Sequence, residues 1–391
     1  MKRELESYSF FVSNIRICYD SSPLYQIYPV NTISILDRIL IVRICFSLLK
    51  SITGLLLLDN MKFDVIIGNP PYQMSDGGGG QGASASPIYH CFIQSSIKLK
   101  HKYLVMIIPS KWFIGGKVPK DVRLKMLDDK HLKEIHDFVN SSDCFQGVEL
   151  AGGVNYFLRD VNYNGKCHIY TIYNKDKIVE STRYLREDKG LKVFIRHTEG
   201  VGILKKVRNN DNGDRFNKIV SERNPFNFAT SFRGKEKGDI KIYHSEGEGY
   251  VSNSDISSNK NCVKQHKVFV SYANGNAIKK EPYSVISEPF YGEIDSICTD
   301  TYLMVGIDTK TGKNYIDSKS KVSNLISYMK TRFFRFLLCL QKITPTAASD
   351  SYSFIPLQDF SKPWTDEELY KKYGLTQEEI DFIESMIKPM E

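Results

Sequence analysis

The run Phe63, Asp64, Val65, Ile66, Ile67, Gly68, followed at once by Asn69, Pro70, Pro71 and Tyr72, constrains this chain more than any other stretch. Apolar and β-branched residues that close on a glycine are the pattern of a buried parallel strand running into a loop. Each proline fixes φ and offers no backbone N–H. The strand must therefore stop there, with its last carbonyls held rigidly and no local donor to occupy them. Asn69, a polar side chain, is placed at the carboxyl end of a buried strand, which is where open α/β sheets bind ligands.

The surrounding pattern repeats the alternation. Residues 87–99 read as a helix, with Ile88, Cys91, Phe92 and Ser95 at helical spacing, and 103–108 read as a second strand ending at Pro109, Ser110, Lys111 and Trp112. Residues 122–132 look helical, 135–139 and 153–158 like further strands. Strand and helix in alternation argue for an α/β fold with a mainly parallel, doubly wound sheet. Glycines 77–82 lead from no strand of their own and read as a mobile loop or lid. Beyond about residue 215, Asn, Ser and Gly turns separate short aromatic and β-branched runs such as 267–272, which marks a domain boundary. Near the end, Thr365 with Glu368 and Thr376 with Glu379 have capping-box spacing, and Gly374 between them is a helix stop. These define a C-terminal helical hairpin.

A chain of 391 residues is long for one core. Its 53 Lys and Arg against 45 Asp and Glu give a net charge of +8, unevenly placed. From residue 364 onward eight acids face three lysines, so the preceding body is strongly basic, a balance that suits a polyanionic partner. The eight cysteines include no Cys-x-x-Cys pair, and His131 and His136 are five apart, wrong for two ligands on one helix face. Neither a zinc site nor a disulfide framework is implied, and a reducing cytoplasm is the simpler setting. Asp37, Arg38, Arg43 and Lys50 interrupt the apolar region 32–58, so no uncharged run reaches the ~20 residues of a spanning helix. That region reads as one or two core or interfacial helices, and no membrane partner is expected.

Residues 63–73 resemble the catalytic motif of the amino-methylating DNA methyltransferases, Asp/Asn/Ser-Pro-Pro-aromatic. Residues 103–113, with Pro109, Ser110, Lys111, Trp112 and Phe113, resemble the following strand and loop of restriction-system adenine methyltransferases. Residues 140–145, with Gly147, Val148 and 151–154, resemble the later motif whose aromatic residue sandwiches a flipped base. The likeness covers 61–160, and more loosely 354–390. The proline motif precedes the variable region, which is the order of the gamma-type adenine-specific enzymes of restriction–modification systems.

That resemblance implies methyl transfer from S-adenosyl-L-methionine to the exocyclic amine of an adenine flipped out of double-stranded DNA. The amine is a poor nucleophile because its lone pair is delocalised into the ring. Asn69 would accept one N–H through its side-chain oxygen and Pro70 the other through its carbonyl, localising the lone pair, with Pro71 fixing the geometry. Tyr72 would stack on one face of the base and Phe145 on the other. Four regions follow: an atypical helix-rich segment 1–60, a partial Rossmann-like catalytic domain 61–215, a mixed β-rich target-recognition domain 216–362, and a helical tail 363–391. Recognition would draw on Arg223, Arg233, Lys235, Lys237, Lys264, Lys267, Lys279 and Lys280, interleaved with Phe226, Phe228, Phe232, Tyr243 and Tyr272.

Cofactor-binding residues are not legible. The 60 residues before the motif hold one glycine, Gly54, and no strand, Gly-x-Gly turn and helix in succession. Residues 288–293 carry an Asp-Pro-Phe-x-Gly-like start without the second glycine. Three readings stay open: an adenine-specific DNA methyltransferase, with a companion chain as one source of its cofactor-binding half; a truncated, inactive or split-subunit DNA-binding remnant; or an RNA or protein methyltransferase that shares the catalytic tetrapeptide. Without the upstream cofactor-binding strands the catalytic sheet would be left with an exposed edge.

Overall fold

The strand that runs into the prolines is an interior strand, second from one edge of a sheet of seven described strands. The computed structural model describes residues 39–41, 62–74, 86–115, 117–188, 190–274 and 281–390, all within the compact unit Arg38–Glu391. Strand β1 (Ile39–Ile41) pairs in parallel with β2 (Lys62–Gly68), in the register Ile39 to Val65, Leu40 to Ile66 and Ile41 to Ile67. This corrects the helical reading of 32–58 at those three residues. A buried strand needs hydrogen-bonding partners on both sides, and β-branched residues meet that need better as a strand than as a helix. The rest of 32–58 lies outside the described residues. Val65 to Ile67 are paired on both sides, and β1 is outermost among the described strands.

After the prolines, β3 (Gln73–Met74) and β4 (Ser86–Pro87) form a small antiparallel ribbon that leads into helix α1 (Tyr89–Lys98). The glycine-rich stretch 77–82 lies outside the described residues. Strand β5 (Lys100–Pro109) pairs in parallel with β2. Helix α2 (Lys120–Leu127) leads to β6 (Leu132–Phe138), so the helix expected over 122–132 ends five residues early. Strands β7 (Val154–Asp160), β8 (Cys167–Asn174) and β9 (Lys177–Arg183) complete the order β1-β2-β5-β7-β6-β8-β9.

The sheet is mixed, not mainly parallel. Strand β7 is antiparallel to both β5 and β6, and β9 is antiparallel to β8. Parallel neighbours need a crossover, usually a helix. Between β6 and β7 the chain makes only the short 3-10 turn Ser141–Asp143, and between β8 and β9 it has two residues, so both pairs must turn back. One result decides the site: the carboxyl ends of β2, β5 and β6 and the amino end of β7 meet at the same end of the sheet.

One face of this sheet is sealed. Leu104, Met106, Ile108, Ile135 and Phe157 pack with Tyr89 and Ile93 of α1, Val122 and Met126 of α2, and Trp112 and Phe113. The alternate residues Val65, Ile67, Val105 and Ile107 are half-buried.

Helix α3 (Thr198–Asn209) packs through Ile203, Leu204 and Val207 into a second core, which extends to Ile387. Strands β10 (Ile240–His244) and β11 (Gly247–Val251) form a hairpin, α4 (Lys260–Val263) is a single turn, and β12 (Lys267–Ser271), β13 (Phe290–Gly292), β14 (Ser296–Cys298) and β15 (Tyr302–Val305) complete two three-stranded sheets. Side chains alternate across a strand. Val268, Val270, Leu303 and Val305 therefore face the second core, while Phe269 and Met304 face a third that holds Phe226 and Ile242. The sheet of β12, β13 and β15 is a wall between two cores.

Helices α5 (Lys319–Lys330) and α6 (Arg332–Cys339) follow, the latter with Phe333, Phe334, Phe336, Leu337 and Leu338 buried. Helices α7 (Asp366–Tyr373) and α8 (Gln377–Met386) form the expected hairpin, with capping boxes at Thr365 and Thr376 and a left-handed Gly374. The Asp366 carboxylate accepts the N–H groups of Arg332 and Phe333 at 3.0 and 2.9 Å, so the first residue of α7 caps the start of α6. Among the described residues no helix is long and apolar enough to cross a membrane.

Candidate functional site

Asn69 stands exposed at the end of β2, Pro70 is buried beneath it, Pro71 is exposed and Tyr72 half-buried. The loop is closed on its far side, since the Tyr72 carbonyl accepts the Ile88 N–H at 3.2 Å where α1 begins. A buried proline next to an exposed asparagine leaves the amide free to reach outward while its backbone is fixed.

The segment carrying Phe145 folds over this end of the sheet. The Phe145 N–H donates to the Ser141 carbonyl at 2.8 Å and the Val148 N–H to the Phe145 carbonyl at 3.1 Å. Buried Ser141 pins the two limbs of the loop, its hydroxyl donating to the Val148 carbonyl at 2.8 Å and accepting the Leu150 N–H at 2.7 Å. Phe145 is half-buried, and its neighbour Cys144 comes within electrostatic reach of Tyr72. Burial raises the Tyr72 phenol above its ordinary value, with Cys144 adding to the rise, and burial pushes the Cys144 thiol up to about 11. Both groups are neutral at physiological pH. Tyr72 and Cys144 thus bring an aromatic ring and a neutral thiol to this end of the sheet.

Sequence reasoning missed the polar residues behind these loops. Ser110, Asp137 and Asn155 are completely buried and Arg196 is 7% exposed. The Ser110 hydroxyl donates to Asp137 Oδ1 at 2.7 Å, and Asn155 Nδ2 donates to Ser110 Oγ at 3.1 Å. The Arg196 guanidinium grips both Asp137 oxygens, at 2.5 and 3.1 Å. Ser110 lies inside the quoted Pro-Ser-Lys-Trp segment, but no local signal ties it to Arg196, 86 positions later.

The residues expected to read DNA do not all reach the surface. Lys267 is fully buried, donating to the carbonyls of Val263 and Glu293 at 3.1 and 3.0 Å, and burial lowers it to about 8. This corrects its placement among groove cations: the start of β12 is enclosed on both faces, and the buried ammonium is satisfied by backbone carbonyls in place of water. Phe226 and Phe228 are core residues. Arg223 pairs with Asp300 at 2.9 Å and Arg233 with Glu246, whereas Lys235, Lys237 and Lys264 are exposed. Phe232 is 36% exposed, its ring 4.8 Å from that of Phe228. Lys279 and Lys280 lie outside the described residues.

Comparison with known proteins adds to this geometry. Residues 29–145 match the Eco57I restriction-modification methylase family. An uncharacterized adenine-specific methylase of Mycoplasma pneumoniae is 47% identical over 116 residues, which cover 29% of this chain and 28% of that protein. The chain thus spans little more than a quarter of this curated relative. Among solved structures, a nuclease-deletion mutant of the Type ISP restriction-modification enzyme LlaGI in complex with a DNA substrate mimic aligns over 78% of this chain and 34% of its own, at 12% identity and a TM-score of 0.45. The DrdV–DNA complex aligns over 84% of this chain and 45% of its own, at 10% identity and a TM-score of 0.40.

S-adenosyl-L-methionine is the methyl donor that the resemblance implies, and the two glycines on the return limb of the Phe145 loop do not form its cradle. Gly152 and Gly153 have the positive φ of a backbone that could approach a ligand, but their open sides are filled by this chain itself. A Cβ on Gly153 would lie 2.2 Å from the Phe138 carbonyl, and one on Gly152 would lie 3.3 Å from Lys111. Gly292 faces the side chains of Lys267 and Phe269. Among the described residues no groups of His, Cys, Asp and Glu could hold a metal ion.

Proposed function

We propose that this chain carries the target-amine side of an adenine-specific DNA methyltransferase of a restriction–modification system. The observation that carries this reading is the exposed Asn69 amide at the end of β2, held by a buried proline and flanked by half-buried Tyr72 and by the loop of Cys144 and Phe145. The side-chain oxygen of Asn69 and the carbonyl of Pro70 accept the two N–H bonds of the amine, and its lone pair is freed for attack. Tyr72 and Phe145 hold the flipped base by its two faces. The donor methyl comes from S-adenosyl-L-methionine, bound by this chain or by a companion chain.

The second partner is double-stranded DNA. We assign target recognition to 216–362, where exposed Lys235, Lys237 and Lys264 and the ring of Phe232 are available to a groove. The experiment is transfer of a labelled methyl group from S-adenosyl-L-methionine to DNA by the purified chain, followed by nucleoside analysis. Label in N6-methyladenine supports the enzyme. DNA binding with neither transfer nor cofactor binding supports the remnant or split-subunit reading, and label in RNA or protein alone overturns the substrate assignment.

A further inference from the structure

The polar cluster beneath the loops joins three segments that are far apart in sequence. Ser110 follows directly on β5, Asp137 lies on β6, and Arg196 comes from the segment after β9, 59 residues beyond Asp137. Besides gripping Asp137, Arg196 Nη2 donates to the Gly152 carbonyl at 2.7 Å, and the Ser110 N–H donates to the Gly153 carbonyl at 3.0 Å. Those two glycines are the return limb of the loop that carries Phe145, and the Gly153 N–H bonds back to the Leu150 carbonyl at 2.9 Å. The guanidinium also lies 5.8 Å from the ring of Phe113, which packs at 4.5 Å on Phe194. Arg196 is therefore held on its own side by rings and on the other by a carboxylate and a carbonyl.

A buried ion pair is a costly way to stabilise a core, because desolvation offsets most of the attraction. Its use here is geometric: a bidentate fork fixes direction as well as distance. We propose that Asp137 and Arg196, with Ser110, form a positioning clamp for the Phe145 loop, setting that ring at a fixed height over Tyr72. Asp137 aims the guanidinium and is itself held by the Ser110 hydroxyl, the guanidinium holds the Gly152 carbonyl, and the Ser110 backbone N–H holds the neighbouring Gly153 carbonyl. The loop is then pinned at its base, while its tip, Gln146, Gly147 and Val148, is exposed and held only within the loop. None of the three side chains touches the reacting atoms.

The proposal rests on the assignment of Phe145 as a base-stacking residue, so the test has two arms on the full chain. Hydrogen–deuterium exchange is followed for wild type, Arg196→Met, Arg196→Lys and Ser110→Ala. Amides of 144–153 are expected to exchange at least about tenfold faster in Arg196→Met, with partial rescue in Arg196→Lys, while the helical hairpin at the C-terminus keeps its protection. Unchanged exchange in both Arg196→Met and Ser110→Ala overturns the clamp, as does an equal loss of protection throughout the chain in both. Where Arg196→Met does not fold, Arg196→Lys, which removes the bidentate fork and keeps the charge, carries the test, and wild-type exchange of 144–153 in it overturns the clamp. In the second arm a DNA oligonucleotide containing 2-aminopurine reports stacking by its fluorescence. Arg196→Met should lose most of the wild-type signal with DNA affinity by anisotropy changed less than about threefold; a full signal from a variant whose loop is loosened shows a merely structural role and overturns the proposal. A wild type without any 2-aminopurine response sinks the stacking role of Phe145 instead, and leaves the exchange arm to decide whether the clamp holds the loop.

Discussion

The Tyr72 carbonyl accepts the Ile88 backbone N–H at 3.2 Å, so the four-residue proline loop is closed onto the start of the next helix. That backbone bond does not depend on the Asn69 side chain, so a substitution there leaves it in place. Asn69→Ala should lower methyl transfer by about 10²-fold or more, the cost of removing one positioned hydrogen-bonding group from a reacting centre. DNA affinity should change little, because Asn69 acts on the base amine and not on phosphates. Transfer assays paired with anisotropy titrations separate the two, and a wild-type transfer rate would end the catalytic assignment.

Two glycines of the Phe145 loop should respond differently to the same substitution. A Cβ at Gly153 meets the carbonyls of Phe138 and Val139 at 2.2 and 2.7 Å, whereas one at Gly147 meets nothing within 4 Å. Both have positive φ, +82° and +77°. Gly153→Ala should cost ~3 kcal/mol or more from strain and displaced backbone, and Gly147→Ala about 1 kcal/mol from the left-handed conformation alone. Chemical denaturation of the two variants gives the comparison; equal losses would show that the clash at Gly153 is relieved by movement.

Burial divides the basic residues expected to read DNA. Lys267→Met should leave the salt dependence of DNA binding unchanged, since its ammonium donates to two carbonyls inside the protein. Lys235→Gln with Lys237→Gln should lessen the slope of log affinity against log salt by up to ~2, about 0.9 for each phosphate no longer neutralised. Titrations between low and moderate salt test this, and a reduced slope in Lys267→Met would contradict the buried assignment.

His197 should make stability fall with acid. Burial first, then the charges of Arg196 and Lys177, push its imidazole down to about 3, and its Nδ1 lies 2.6 Å from the Tyr173 hydroxyl. The unfolded chain takes up a proton near its ordinary ~6.5 while the folded chain does not. Stability from this group is therefore complete above that pH and is lost as pH falls towards 3, at no more than ~1.4 kcal/mol per pH unit. Denaturation curves of wild type and His197→Gln between pH 7 and 4.5 should differ in slope, with the variant flatter; parallel curves would mean that His197 is protonated in the folded state.

What the sequence determined by itself was whatever its neighbours in the chain enforce. Two prolines after a β-branched run stop a strand wherever the chain goes, and Thr365 to Glu368 and Thr376 to Glu379 close their capping boxes within one helical turn. Tertiary structure decided the rest, because the deciding partners are distant. Ile39 to Ile41 look like part of an amphipathic helix until Val65 to Ile67 offer an open edge. Lys267 looks like a surface cation until β12 is enclosed between two cores. The antiparallel insertion of β7 brings the start of the Gly153 limb beside Ser110, and the chain after β9 returns Arg196 to Asp137. Local φ restrictions and short-range hydrogen bonds are written in contiguous residues, whereas the choice of a buried charge's partner depends on which strands become neighbours.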